Sequence, residues 1–404
     1  MKACNGGVCA PAGFRAAGVH CGIRKNKSKK DLALIYSDTP CAAAAVYTQN
    51  LVKGAPITVT RENIADGRAQ AVLCNSGNAN TCNADGPAVA RRMCELAASA
   101  CGLDPRDVIV ASTGVIGQRL DISPIEASIG ALKDALSETG SRDAAEAIMT
   151  TDTARKEVAV AFTVGGVECR LGGIAKGSGM IHPNMATMLV FLTTDCAISS
   201  ELLQKALATD AADSFNMISI DGDTSTNDMV SILANGKAGN PPITAEGPDY
   251  DAFAAALAFV TRTLCRSIAK DGEGATKLLE CRVSGARSLT DARTVAKSII
   301  CSSLVKAAMF GADANWGRVL CAIGYSGAPV DVTKVGVSFT SAAGTIEVCR
   351  GGAGVPFSEE EAKKILTERE IGVVITLGDG EGSATAWGCD LTYDYVKING
   401  DYRT

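Results

Sequence analysis

The sequence predicts a layered α+β fold, with sheets covered by helices rather than a doubly wound parallel sheet. Strand candidates come in glycine-closed pairs, and AVAFTVGGVECRLGG (159–173) reads as an antiparallel hairpin, not a βαβ crossover. Helix signals alternate with such strands along the whole chain, a mixture that suggests helices layered on sheets. At 404 residues and 47% hydrophobic content the chain can bury a sizeable core, most simply as two domains.

Taken in order, strand candidates cover 43–48 and 70–74, both apolar runs bounded by turn residues. Asp85-Gly86-Pro87 opens an Ala-rich helix that ends near Gly102. A strand over 107–111 follows, and then Ser123-Pro124-Ile125-Glu126, a capping box with Pro in the first turn, opens a helix to about Ser137. Further strands are expected over 158–164, 188–194, 228–234, 278–284, 335–339, 345–349 and 371–377. Further helices are expected over 200–215, 250–270, 291–309 and 358–368. No internal repeat and no low-complexity linker interrupts this order.

Composition narrows the function. With aromatics at 4% and a mixed-sign net charge of −5, neither a basic stripe nor stacking aromatics support nucleic-acid binding. No apolar run approaches the roughly 18 residues of a membrane span. The segment MKACNGGVCAPAGFRAAG lacks the apolar core of a signal peptide, so the expected compartment is the cytoplasm. Sixteen cysteines are scattered without a CxxC. Cys74, Cys301 and Cys321 sit in apolar runs, where a reduced thiol behaves as a small hydrophobe. Only His20 and His182 are present, which excludes a His-rich metal site and leaves little room for a His-based triad. In ISIDGDTSTNDMV (218–230), Asp221, Asp223 and Ser225 have calcium-loop spacing. Position 6, however, is Thr226 rather than Gly, and position 12 is Ile232 rather than an acid, so the run reads as a structural loop.

The most informative stretch is KGSGMIHPNMATMLVFL (176–192). Turn-forming Gly177, Gly179, Pro183 and Asn184 lead into Ala186-Thr187, and an apolar strand follows. Such an arrangement suits a self-cleaving precursor. Attack of the Thr187 hydroxyl on the Ala186 carbonyl gives an ester, and water releases a chain whose first residue is Thr187. The new α-amine, with an ordinary pKa of roughly 7.7–8.0, is then placed to act as base for its own hydroxyl. The competing reading is a Thr that merely opens a buried strand.

The string GGIAKGSGMIHPNMATML (172–189) resembles the signature of the ornithine acetyltransferase family (glutamate N-acetyltransferase, ArgJ). Other similar segments recur in order to the C-terminus. The resemblance implies an α–β–β–α sandwich over about 1–280 with a smaller α/β domain over about 281–404. It also implies cleavage into an α chain, 1–186, and a β chain, 187–404. Thr187 carries over as cleavage residue and nucleophile. In VIVASTGVIGQRL (108–120) the oxyanion-hole pair carries over onto Thr113 and Gly114. Lys176, Thr150 of MTTDT (149–153), Glu273 of SIAKDGEGATK (267–277), and Asn399 and Thr404 of YVKINGDYRT (395–404) carry over as substrate contacts. Thr151 and Thr153 stay open as alternatives to Thr150. GADANWGRVL (311–320) matches as well, with Trp316 and Arg318 as candidates for shaping the pocket.

The activity so implied is ping-pong acetyl transfer from N-acetyl-L-ornithine to L-glutamate, with no metal or organic cofactor. Acetyl-CoA is left open as a second donor, and two α with two β chains is the implied assembly. The alternative from other chemistry is an N-terminal-nucleophile aminopeptidase or amidase, which would release the acyl group to water.

Overall fold

The computed structural model describes residues 1–182 and 188–401. The chain divides into two compact units. The first holds Met1–Gly177, Pro183–Phe215 and Thr224–Leu264; the second holds Ser178–His182, Asn216–Asp223 and Cys265–Thr404.

The first unit is built from strands β1 (Lys2–Cys4), β2 (Phe14–Val19), β3 (Leu32–Tyr47), β4 (Arg68–Asn78), β5 (Val108–Val115), β6 (Lys156–Val164), β7 (Val167–Lys176) and β8 (Leu189–Thr194). After β9 (Ile218–Ser219), which belongs to the second unit, β10 (Met229–Ala234) completes the set. Its helices are α1 (Ala55–Asn63), α2 (Gly86–Cys101), α3 (Ser123–Asp134), α4 (Ser141–Ala147), α5 (Ser200–Asp213) and most of α6 (Pro248–Lys270). The strands form one path, β1-β6-β7-β8-β10-β3-β4-β5, with β2 also on β3.

One strand explains how this path becomes two layers. The front of β3 pairs with β2 and β4, while Ala42 to Tyr47 pair with β10. Between Tyr36 and Cys41 the register with β4 shifts, and Pro40, which has no N–H to give a ladder, falls there. One core takes Ala33, Ile35, Val72, Cys74, Ile109 and Ala111 from the β2-β3-β4-β5 half, and Ile174, Leu189, Phe191, Met229 and Leu233 from the other half. These are alternate residues along their strands, so this core is the layer between two facing sheets. The opposite face of the first half, Leu32, Leu34, Ala71, Leu73, Val108 and Val110, packs with Val59, Met93, Ala97, Ile125 and Leu132 of α1, α2 and α3. On the outside of the other half, a Cβ on Gly173 of β7 would crowd Val260 and Leu264 of α6. Gln204 of α5 bonds both backbone groups of Ala45, at 3.1 and 3.2 Å. The order is helix, sheet, sheet, helix. Helix α6 is long and apolar enough by composition to cross a membrane. Its packing over Gly173 gives that apolar face a partner inside the sandwich.

The second unit contains β11 (Leu278–Ala286), α7 (Leu289–Cys301), α8 (Ser303–Phe310), α9 (Trp316–Gly324), β12 (Gly336–Ser341), β13 (Gly344–Arg350), β14 (Ala353–Gly354), α10 (Glu359–Thr367), β15 (Glu370–Thr376), β16 (Gly382–Cys389) and α11 (Tyr393–Asp401). Its mixed sheet runs β14-β13-β12-β15-β11-β16-β9. The buried stripe Ala292, Val295, Ala296, Ile299 and Ile300 of α7 lies on this sheet, close enough that a Cβ at Gly388 of β16 would collide with Ile300. The division between units falls inside α6, at Leu264, rather than near 280.

Two local expectations change. The helix expected over 291–309 is two helices, because Ser302 is extended (φ −67°, ψ 111°) and its hydroxyl accepts the Val305 N–H, capping α8. The capping box at 123–126 does not form. Instead Asp121 accepts both the N–H and the hydroxyl of Ser123, at 3.0 and 2.8 Å, so the cap lies two residues earlier.

Candidate functional site

Thr113 and Gly114 end β5, which lies parallel to β4 with Ser76 opposite Thr113 and Gly77 opposite Gly114. Gly114 has φ +131°, and a Cβ there would overlap the backbone of Gly77 and Asn78. Only glycine permits both the conformation and the approach. Thr113 is 8% exposed. Its strand end is fixed from outside the ladder by Asn227, whose amide donates to Ser112 O at 3.0 Å and Ala79 O at 2.6 Å. The Asn227 carbonyl accepts the hydroxyls of Thr81 and Thr226 at 2.5 and 2.6 Å. This buried amide is fully occupied, and it specifies one position for the strand end.

Lys176 closes β7 and Thr150 lies in the turn before β6, 26 positions earlier; one carboxylate ties the two segments. Asp152 is buried, accepts the Thr150 N–H at 2.9 Å and the Gly177 N–H at 2.7 Å, and pairs with the buried Lys156 ammonium at 2.7 Å. Burial alone would raise its pKa, but the charges of Lys156 and Lys176 together with these donors hold it at about 2. Lys176, 8% exposed, stands opposite Leu189 in the β7–β8 register. Leu189 in turn stands opposite Met229, whose N–H donates to Met188 O at 2.9 Å. The same neighbourhood holds Asp228, fully buried with one carboxylate oxygen unpartnered. Burial pushes its carboxyl well up, against the Ser225 hydrogen bond and the Lys176 charge. Within the first unit, Thr150, Lys176 and the start of β8 therefore converge. The expected Ala186 and Thr187, just before β8, lie outside the described residues.

The second unit holds the other expected contacts. The Asn399 amide of α11 donates to the Glu273 carboxylate at 2.8 Å. The Glu273 N–H donates to Ser178 O at 2.9 Å, and a Cβ on Gly179 would collide with the Glu273 carboxyl. The glycine at 179 is what lets the carboxylate lie against that backbone. Thr404 lies outside the described residues. Asp221 is here a structural acceptor: it takes the N–H groups of Met180 and Ile181 at 2.6 and 2.9 Å. His182 Nδ1 lies 3.1 Å from Ser219 Oγ and 3.5 Å from Cys301 Sγ. Burial, then the Lys297 charge, lowers His182 to about 4, so it stands neutral. Trp316 packs its ring against Gly354, and Arg318 donates to Leu304 O at 2.9 Å while Asn315 caps α9. These are supports of the unit's own packing. All sixteen cysteines are free, and burial pushes Cys41, for example, up to about 12.

Sequence reasoning missed Asp152 and Asn227. The i,i+4 spacing of Asp152 and Lys156 was a usable signal for the first. Nothing local marks Asn227, whose partners Thr81, Ala79 and Ser112 lie 115 to 148 positions away.

The sequence model of the ArgJ family matches residues 15–404. The chain belongs to the ArgJ family. Among its relatives, the arginine biosynthesis bifunctional protein ArgJ of Symbiobacterium thermophilum is 55% identical over 99% of both chains. The ArgJ protein of the same name from Bacillus subtilis is 49% identical over 99% of this chain and 97% of its own. A crystal structure of Bacillus halodurans ArgJ is 47% identical with a TM-score of 0.50, and covers 52% of this chain and 98% of that one.

Proposed function

We propose that this chain transfers an acetyl group from N2-acetyl-L-ornithine to L-glutamate through an ester on Thr187. The observation that carries the reading is the convergence on Asp152: its carboxylate ties the backbone at Thr150 to the Gly177 N–H beside Lys176, and Lys176 faces Leu189 at the start of β8. Residues expected to meet substrate are thus gathered where the strand after Thr187 begins.

In this mechanism the Thr187 hydroxyl first attacks the Ala186 carbonyl, the peptide C–N bond breaks to free the Thr187 α-amine, and water hydrolyses the resulting ester, releasing the Ala186 carboxylate and restoring the Thr187 hydroxyl. That amine takes the hydroxyl proton as Thr187 attacks the acetyl carbonyl of acetylornithine. The oxyanion is met by donors from Thr113 and Gly114, the amide C–N bond breaks, and the proton passes to the departing ornithine amine. Glutamate then attacks the acetyl ester and regenerates Thr187. Lys176 suits a substrate carboxylate, and Glu273 with Asn399 suits the amine end of ornithine; Thr150 and Thr404 complete the contacts.

The Bacillus halodurans match supports the two-chain form, since 98% of that crystallised chain spans only 52% of this sequence, the relation expected of a polypeptide cut near its middle. The word "bifunctional" in the relatives' names supports acetyl-CoA as a second donor. A cytoplasmic assembly of two α and two β chains, without a metal or organic cofactor, belongs to the same proposal. The hydrolase reading is disfavoured, because relatives at 46–55% identity over nearly their full length bear the ArgJ name.

Intact mass under denaturing conditions, with acceptor assays, tests this. Chains 1–186 and 187–404, and N-acetylglutamate formed only when glutamate is present, are the expected results. One uncut active species would overturn the nucleophile. Acetate released at one rate with or without glutamate would favour the hydrolase.

A further inference from the structure

The segment RKNKSKK (24–30) puts Arg24, Lys25, Lys27, Lys29 and Lys30 within seven residues of a chain whose net charge is −5. The average composition hides this run, and the proposed acetyl transfer has no use for it. In the structure it walls a cavity of about 660 Å³ inside the first unit, with Arg24, Lys29 and Lys30 on one side and the 149–155 segment, including Arg155, on the other. The volume is that of a site for one small molecule.

The loop is preorganised. Asp31, buried, accepts the N–H groups of Cys21, Gly22 and Arg24 at 2.5, 3.2 and 2.8 Å, and Arg24 donates its guanidinium to Met149 O. Two carboxylates, Glu146 and Glu157, also line the cavity. Glu146 is already engaged by Arg155 and lies 3.9 Å from Lys30, and Glu157 accepts the Ser141 hydroxyl at 3.0 Å. Glu146 thus holds Arg155, and Lys30 is engaged by Asp143. Lys25, Lys27 and Lys29 make no ion pair among the described residues. Among the described residues the lining has no aromatic side chain on which a base could stack.

We propose that this cavity binds a ligand through two or three phosphate groups. Clustered guanidinium and ammonium groups around a nucleotide-sized hollow recognise an oligophosphate, and the missing aromatic platform leaves the phosphates as the recognised part. Such a ligand would rest on the segment that carries Thr150 and Asp152, so occupancy bears directly on the turn that Asp152 clamps. The proposal goes beyond the acetyl-transfer reading and stands on Arg24, Lys29, Lys30 and Arg155, none of which that reading uses.

The test is calorimetric titration of the purified full-length protein with inorganic tripolyphosphate, ATP and coenzyme A. Lys29→Glu is compared with Lys363→Glu, an exposed control on α10 with the same charge change. Lys29→Glu should weaken tripolyphosphate binding about tenfold, the loss of one charge-assisted contact. Lys363→Glu should change it less than about twofold. Tighter binding of coenzyme A than of tripolyphosphate, lost in Lys29→Glu, identifies the nucleotide end of an acyl carrier as the source; equal binding of ATP and tripolyphosphate identifies a free oligophosphate. Absence of binding by all three probes, or equal binding by Lys29→Glu and wild type, overturns the site. Transfer from acetylornithine to glutamate, assayed in the same preparations without phosphates, is expected to be intact in Lys29→Glu; its absence from wild type would count against the functional reading and not against the cavity.

Discussion

The two units hold their expected site residues in different ways. In the first, Thr113, Thr150 and Lys176 sit at strand ends or turns whose backbone is pinned by buried side chains, Asn227 on one side and Asp152 on the other. In the second, Glu273 is met by one amide from α11, a helix with no buried residues and with Tyr393 85% exposed. In the first unit the groups proposed for the oxyanion and for a substrate carboxylate are placed by rigid, desolvated networks, where misplacement is costly. In the second, the pair proposed for the amine end of ornithine depends on a terminal helix with no buried residues. The contrast predicts that loss of a pinning residue in the first unit costs stability as well as function, and that lesions in the second act on KM alone.

The sharpest break is Thr187→Ala, expected to abolish turnover and leave a single uncut chain on a denaturing gel; two chains would remove the residue from both roles. Next, Thr113→Ala should lower kcat by about 10²–10³-fold with little change in melting temperature, and steady-state kinetics with an unchanged kcat would take it out of the oxyanion hole. Asp152→Asn removes the carboxylate charge paired with the buried Lys156 ammonium and should cost about 3–5 kcal/mol in chemical denaturation while raising KM. Adding Lys156→Met should recover stability, yet leave KM raised. The pH dependence has a definite sign. Asp152 has a folded-state pKa of about 2 against an ordinary 3.8, so its contribution is full above 3.8 and is lost as pH falls through about 2. The stability gap between wild type and Asp152→Asn should therefore narrow over that window. The mildest lesion is Asn399→Ala, expected to raise KM for acetylornithine about tenfold, with kcat and melting temperature unchanged. A large loss of stability there would erase the distinction between the units.

How much of this could be read from the chain follows from the range of each interaction. The strand running into Thr113-Gly114 was visible as a local pattern, while its reading as an oxyanion-hole pair came from family resemblance; α2, α5 and α10 were visible because their signals lie within one helix. The front half of β3 was not: Leu32, Leu34, Ala33 and Ile35 are buried on both faces, which removes the alternation that marks a strand. Asp152 looked like one polar residue in a threonine-rich turn, since its meaning depends on Gly177, which only the sheet brings near. The pairing of Glu273 with Asn399 spans 126 positions, and family resemblance, not pattern, put both residues in view.

The strand order has a consequence for a polypeptide cut between 186 and 187. Along β1-β6-β7-β8-β10-β3-β4-β5, the strands β8 and β10 would belong to the later fragment and all their neighbours to the earlier one. The later fragment is thus intercalated, like two fingers between those of another hand, with a ladder on each flank. Neither piece could leave without stripping two rows of backbone hydrogen bonds and baring raw sheet edges. Such a pair would be inseparable once made, and β8 and β10 of the later piece, produced by itself, would lack the strands that flank them.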